Sequence, residues 1–273
     1  MANNPLHDKH LPLTSVNSGK GYEALPEVYC YPVQIVNVYL VGDPARSDWV
    51  LVDAGMPRCE DDIIREAAER FGKDVPPRAI ILTHGHFDHV GAVVELAEHW
   101  DVPVYAHPLE LPYLTGQAHY DPPDTHAGGG IIPSLAGFFP REPIDLGERI
   151  RPLPEDGSVP FPGNWRWLHT PGHTPGHVSL FRDRDRALLA GDAFVTVRQE
   201  SLYQVFTQHR EISGPPRYFT PDWEAARRSV QMLAELMPTV AMTGHGRVMS
   251  GESLRNGLRC LLDNFKEKAM PDR

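Results

Sequence analysis

Cysteine is scarce in this chain of 273 residues: only Cys30, Cys59 and Cys260 occur, widely spaced and odd in number. That excludes a disulfide framework and a zinc site built on paired thiolates, and the three are expected to be buried free thiols. No apolar run approaches the roughly 18 residues that a membrane-spanning helix needs, so no membrane partner is expected. The first twenty residues are polar, with His7, Asp8 and Pro12, and lack the apolar segment of a secretory signal; a cytoplasmic location is the expectation. Basic charge is also short. The formal net charge of -10 argues against a nucleic-acid partner, because binding phosphates needs a basic face. Gly-x-Ser-x-Gly is absent as well, so no serine nucleophile elbow is signalled.

What remains is the composition of an ordinary globular protein, 41% hydrophobic and 23% charged, long enough for one large domain or two small ones. Residues 1–27 read as a loose N-terminal arm and 28–273 as one domain. Strands are expected from Pro32 to Val41 and from Trp49 to Val52, on β-branched and aromatic content. Ile63, Ile64, Ala67, Ala68 and Phe71, with Gly72 just beyond, predict a helix from Glu60 to Phe71. Ala79–Leu82 and Val102–Ala106 read as strands, and His89–Trp100 as the helix between them. This alternation is the signature of an α/β fold.

Two stretches interrupt the pattern. Residues 112–143 are rich in proline, glycine and aromatics, and 194–219 form a second aromatic-bearing loop. Long irregular segments of this kind are commonly binding loops or lids, and such loops would also suit a homodimer contact. Trp165–His169, Val178–Phe181 and Ala187–Ala190 resume strand character, with Arg182–Arg186 as a solvated hairpin turn. Thr220 and Pro221 read as the N-cap and first residue of a helix running to about Met237. Thr239–Met242 is a last strand and Gly251–Lys268 a closing helix. A weak internal echo relates 51–55 to 188–192 and 81–86 to 241–246. It suggests two similar halves meeting edge to edge, with their loops converging.

The most concentrated chemistry lies at His84-Gly85-His86-Phe87-Asp88-His89. Imidazole and carboxylate are the ligands that borderline divalent metals prefer, and so many polar groups in one turn need a shared positive partner if buried. Alternation along an extended segment puts His84 and His86 on one side, as joint ligands of one ion. Asp88 and His89 fall where a helix begins, point elsewhere, and would serve a second ion. Further ligands are sought downstream: His173 between two Pro-Gly pairs, Asp192 at the end of a buried strand, and His245 between glycines. His169 and His177 read as strand-end or supporting groups.

Asp53, His84-Gly85-His86-Phe87-Asp88-His89, His173, Asp192 and His245, in that order, resemble the five sequence motifs of the metallo-β-lactamase superfamily, from about residue 30 to residue 250. The resemblance implies an α/β fold, a four-layered αββα sandwich with the site at one edge of its sheets. It further implies two divalent ions, zinc first with iron or manganese as alternatives. His84, His86 and His173 would hold the first ion, Asp88, His89 and His245 the second, and Asp192 would bridge them. Asp53 would support the metal loop by hydrogen bonding. A bridging hydroxide would attack an ester, thioester or lactone carbonyl of a small-molecule substrate, with Asp88 as proton shuttle.

Departures narrow the substrate. Export signals and a different residue at the position of Asp192 mark the β-lactamases of this superfamily. Lactonases that share the bridging aspartate place a tyrosine three residues after it, where this chain has Val195; Tyr203 or Tyr218 would have to substitute. The glutathione-binding basic residues of glyoxalase II-like thioesterases find no match. Candidate substrate contacts are Tyr113, His126, Phe138, Phe139, Tyr203 and Phe206. Two other classes stay open: a sulfur dioxygenase-like enzyme with a single iron, and a metal-stabilised binding scaffold.

Overall fold

The computed structural model describes residues 2–9, 13–125, 127, 136–137, 139–160 and 164–271. The chain divides into two compact units, Met1–Tyr120 with Pro140–Trp165, and Asp121–Phe139 with Arg166–Arg273. Each is built on its own sheet.

In the first unit, seven strands lie in sequence order: β1 (Tyr22–Leu25), β2 (Val28–Val33), β3 (Val36–Asp43), β4 (Asp48–Val52), β5 (Ile80–Ile81), β6 (Val104–Ala106) and β7 (Ile150–Pro152). The first four pair antiparallel, and β4 to β7 run parallel. The strand character expected over 32–41 belongs to a hairpin, β2 and β3 turning at Gln34, whose φ of 56° supplies the left-handed residue of a tight turn. Helix α1 (Glu60–Phe71) keeps the predicted limits. Glu60, Asp61 and Asp62 occupy its first turn and Arg70 its last, each charge opposing the helix dipole. It buries Ile63, Ala67 and Phe71, and Phe71 stacks on the fully buried Trp49 at 4.5 Å.

The helix expected over 89–100 is broken into α2 (Phe87–Val90) and α3 (Val93–Trp100). The backbone groups between them bond outside the helix: Ala54 N–H donates to the His89 carbonyl, and Gly91 N–H donates to the Gly55 carbonyl. The Gly91 carbonyl accepts from Asn4 Nδ2 at 2.8 Å. The same contact corrects the expectation of a loose arm. Asn4 also donates to Glu95, Leu6 is buried, and Asn3 pairs with Asp145. A short helix, α4 (Leu111–Leu114), follows β6.

The second unit holds β8 (Trp165–His169), β9 (Val178–Arg182), β10 (Ala187–Gly191), β11 (Val240–Thr243) and β12 (Met249–Ser250), in the order β12-β11-β10-β9-β8. β10 and β11 pair parallel, while β9 joins β10 and β12 joins β11 antiparallel. Its helices are α5 (Leu202–Thr207), α6 (Trp223–Glu235), α7 (Gly251–Asp263) and α8 (Phe265–Lys268). Val230 and Leu233 of α6, Leu254, Leu258 and Leu261 of α7, and Phe265 pack with Leu188 and Ala241 in one apolar cluster.

Three local expectations are corrected here. Asp222, not Thr220, caps α6, its carboxylate accepting from Ala225 N–H at 2.9 Å. The closing helix is split at Asn264, whose side chain donates to the Cys260 carbonyl. Arg182 belongs to β9 and is buried, forked onto Asp185 through Nε and Nη2, so only the tip of that hairpin is solvated.

No helix among the described residues is long and apolar enough to cross a membrane. The three cysteines are free; Cys30 and Cys59 are buried, whereas Cys260 is exposed on the outer face of α7. Burial pushes the Cys30 thiol up to about 12 and Cys59 well above its ordinary value, and thiolate is the reactive form. A disulfide-exchange reagent is therefore expected to titrate one thiol per chain in the native protein, Cys260, and the remaining two only after denaturation. Rapid native reaction at Cys30 or Cys59 would contradict this packing.

Candidate metal centre

Both units repeat one arrangement, the physical content of the internal echo. Two adjacent parallel strands end together, and their carboxyl ends carry an acid on one and histidine on the other. In the first unit β4 runs into Asp53 and β5 into Thr83-His84, with Asp53 N–H donating to the Ile81 carbonyl. In the second, β10 runs into Asp192 and β11 into Gly244-His245, with Gly244 N–H donating to the Gly191 carbonyl. Carboxyl ends of parallel strands are where α/β sheets place their ligands.

The first unit brings together His84, His86, Asp88 and His89, all buried. The ring of His84 lies 4.8 Å from that of His86 and 4.1 Å from that of His89. The expectation that His89 points elsewhere is corrected by this packing. The chain turns into α2 at Phe87, with His89 N–H donating to the His86 carbonyl, and the turn carries His89 back against His84 instead of away from it.

Asp53 organises the group. It takes a positive φ of 60° and is nearly solvent-free, so its charge requires donors. Thr83 supplies two, its N–H at 2.8 Å to Oδ1 and its hydroxyl at 2.8 Å to Oδ2; His89 Nδ1 supplies a third, 2.8 Å from Oδ2. The tautomers follow from these bonds. A carboxylate on Nδ1 of His89 requires the proton there. Thr83 spends its own hydroxyl proton on Asp53, so its oxygen accepts from His84 Nδ1 at 3.0 Å. In both rings the proton thus sits on Nδ1 and Nε2 carries the lone pair; for His89 this is the arrangement that carboxylate–histidine–metal sites use.

The second unit assembles His173, Asp192 and His245. Asp192 Oδ2 lies 3.5 Å from His173 Nε2 and 3.2 Å from His245 Nε2, one carboxylate oxygen between two imidazoles. His173 repeats the tautomer device. Thr220 donates its hydroxyl proton to the Pro216 carbonyl and accepts from His173 Nδ1 at 3.1 Å. That engagement is why Thr220 does not cap α6. Gly172 sets the approach: at φ 133° any Cβ would lie 2.3 Å from the backbone nitrogen of Ala226, so only glycine lets the chain pass. The His245 carbonyl accepts from the hydroxyls of Thr243 and Thr196.

His177 holds Asp192 from behind. The Asp192 N–H donates to His177 Nε2 at 2.9 Å, which places the ring proton on Nδ1. A relay of hydroxyls carries the pattern on: His177 Nδ1 to Thr170, Thr170 to Ser179, and Ser179 to the Ala190 carbonyl, at 2.8, 3.0 and 2.9 Å. His169, by contrast, is exposed and meets the Pro175 carbonyl.

Among the residues expected to meet substrate, Tyr113 is half-buried and stacks on Tyr120 at 3.9 Å. Tyr203 and Phe206 project from α5, 75% and 48% exposed. Phe139 and Tyr218 are buried against one another and Phe219. Val195 is buried, bridged to Ser213. His126 and Phe138 lie outside the described residues. Sequence reasoning missed Thr83, Thr220, Thr170 and Ser179 as supports, and also Glu110, whose Oε2 accepts from Gly85 N–H at 2.9 Å.

Removing His177 tests this framework. His177→Ala strands the buried Asp192 N–H and breaks the hydroxyl relay, and is expected to cost about 2 kcal/mol or more of unfolding free energy. Denaturant titration reads it; a loss under about 0.5 kcal/mol, the range of an inconsequential surface change, would contradict the relay.

Comparison with known proteins bears on the family. The model of the metallo-beta-lactamase superfamily matches residues 31–245. The probable metallo-hydrolase YflN of Bacillus subtilis (strain 168) is 51% identical over 254 residues, 93% of this chain and 96% of that protein. The hydroxyacylglutathione hydrolase GloC of Haemophilus influenzae is 30% identical over 119 residues, 44% of this chain and 50% of that one. Among solved structures, TTHA1623 in a di-iron-bound form superposes with a TM-score of 0.56 at 31% identity, covering 86% of this chain and 96% of its own.

Proposed function

The chain belongs to the metallo-beta-lactamase superfamily, and from that premise we propose that it is a dinuclear metal-dependent hydrolase of a carboxylic ester, thioester or lactone. Its α/β fold is of the metallo-β-lactamase type, and the chain is an enzyme of the metallo-hydrolase class. The finer reading rests on one observation above all. His84, His89 and His173 each have Nδ1 tied to an oxygen that can only accept from it. Each ring therefore offers Nε2 as its ligating atom.

The donor chemistry fits two borderline divalent ions. In this reading His84, His86 and His173 hold the first, Asp88, His89 and His245 the second, and Asp192 is shared. Zinc, iron and manganese all suit nitrogen and carboxylate donors, and the di-iron form of TTHA1623 lends support to iron as well as zinc. When bound, such ions lower the pKa of a shared water toward about 7 and polarise an acyl oxygen.

The chain's own groups do the rest. Asp88, on the first turn of α2 and buried, takes the proton of the attacking water and returns it to the leaving oxygen or sulfur. Asp53 and His177 hold the ligand loops so that neither reorganises during the reaction. Tyr113, together with Tyr203 and Phe206 on α5, offers aromatic surface to the apolar part of a small substrate. Similarity to a hydroxyacylglutathione hydrolase favours including thioesters, while the buried Val195 removes the lactonase tyrosine.

The test is hydrolysis of a small panel, an aryl ester, a glutathione thioester and a lactone, by protein of measured metal content. We expect about two metal ions per chain, turnover of at least one substrate, loss on chelation and recovery on adding metal back. Asp88→Asn is expected to lower kcat/KM by about 100-fold or more while the fold is kept. Turnover unaffected by complete chelation would overturn the reading. One iron per chain with no hydrolysis would replace it with single-iron sulfur oxidation.

A further inference from the structure

The metal-loop histidines are separated by one residue, Gly85, and the first unit grips that residue in a way the ligand set does not require. Gly85 N–H is shared between two acceptors, Glu110 Oε2 at 2.9 Å and the Tyr120 hydroxyl oxygen at 3.1 Å. Tyr120 in turn donates its hydroxyl proton to the same Glu110 Oε2 in a short hydrogen bond. Three groups from three places in the sequence thus close one small ring of hydrogen bonds.

The ring is rigidly mounted. Glu110 is fully buried at the end of a 3-10 turn, Pro108–Glu110, its N–H donating to the His107 carbonyl. Tyr120 is clamped between two rings: it stacks on Tyr113, nearly parallel at 9°, and meets the His86 ring at 4.6 Å and 61°.

Gly85 is shaped to receive this clamp. A Cβ at that position would lie 2.6 Å from the Tyr120 hydroxyl and 3.4 Å from both Glu110 Oε2 and Leu114 Cδ2. The backbone torsions of Gly85 determine where His84 and His86 point relative to one another, and the two rings stand at 87°. Ligand groups must sit within about 0.5 Å of their working positions for tight metal binding, and supporting hydrogen bonds are what hold them there.

We propose that Glu110, with Tyr120, is a positioning residue for the His84–Gly85–His86 ligand pair, setting the affinity of the ion those histidines hold. This rests on the reading that His84 and His86 are metal ligands. Neither Glu110 nor Tyr120 touches substrate in this account; both act through Gly85 N–H, and Tyr120 also through the His86 ring.

The test is metal affinity, by competition with a chromophoric chelator, and the visible spectrum of the cobalt-loaded protein, for Glu110→Ala, Glu110→Gln and Tyr120→Phe. Glu110→Ala is expected to weaken the first ion about 10- to 100-fold and to alter the cobalt spectrum. Glu110→Gln, which keeps an oxygen acceptor for Gly85 N–H, is expected to recover most of the affinity, which a purely structural role of the carboxylate would not predict. Tyr120→Phe should lie between wild type and Glu110→Ala.

If Glu110→Ala does not fold, Gly85→Ala carries the test. Its affinity should fall because the new Cβ meets the Tyr120 hydroxyl, and the double variant with Tyr120→Phe should regain part of it. Wild-type affinity and spectrum in Glu110→Ala, or in both Tyr120→Phe and Gly85→Ala, would overturn the clamp. Two bound ions without turnover of any substrate would sink the hydrolase reading alone, since the affinity series would still stand. A wild type that binds no ion overturns both.

Discussion

Asp53 carries a charge almost wholly removed from water, and the first half of the site follows from how that charge is satisfied. A buried carboxylate needs hydrogen-bond donors in place of the water it has lost. Here it accepts two bonds from Thr83 and one from His89, so the strand end, the metal loop and the first turn of α2 are tied to a single point. These bonds are charge-assisted, stronger than their neutral counterparts. They also fix protons: once Thr83 gives its hydroxyl hydrogen to Asp53, the tautomer of His84 is decided. One buried acid thereby orients two imidazoles thirty residues or more along the chain.

The second unit reaches the same end by a different route. His173 is oriented by Thr220 and the Asp192 backbone by His177, neutral groups throughout. A further full charge behind Asp192 is not needed, because Asp192 itself already stands between His173 and His245. Hydroxyl groups are well suited to this task. Each can accept from a ring nitrogen and donate onward to a carbonyl, so the relay from His177 to Ala190 is satisfied at every link without burying another ion.

Much of this was legible in the sequence where the deciding interactions are local. Helix α1 could be placed to the residue because its apolar spacing, acidic first turn and following glycine all agree. Strand ends before Asp53, Asp192 and His245 were visible as apolar runs breaking at polar residues. The superfamily resemblance then ordered the candidate ligands. What escaped were choices made by distant partners. The break between α2 and α3 depends on Ala54, Gly55 and Asn4 capturing backbone groups. Thr220 looks like a helix cap until His173 and Pro216 claim its hydroxyl. Glu110 carries no local signal, since its role is defined by Gly85, 25 positions away. Its burial as an acid can be seen only in the folded chain.

Buried acceptors on Nδ1 hold His84, His89 and His173 with Nε2 carrying the lone pair, the orientation in which we propose that they bind metal. Anomalous diffraction from crystals grown with zinc tests it most directly. Peaks are expected about 2.0–2.1 Å from Nε2 of His84, His89 and His173, with the Asp53–His89 and Thr83–His84 bonds intact. Metal bound through Nδ1 of these rings, with those bonds broken, would contradict it.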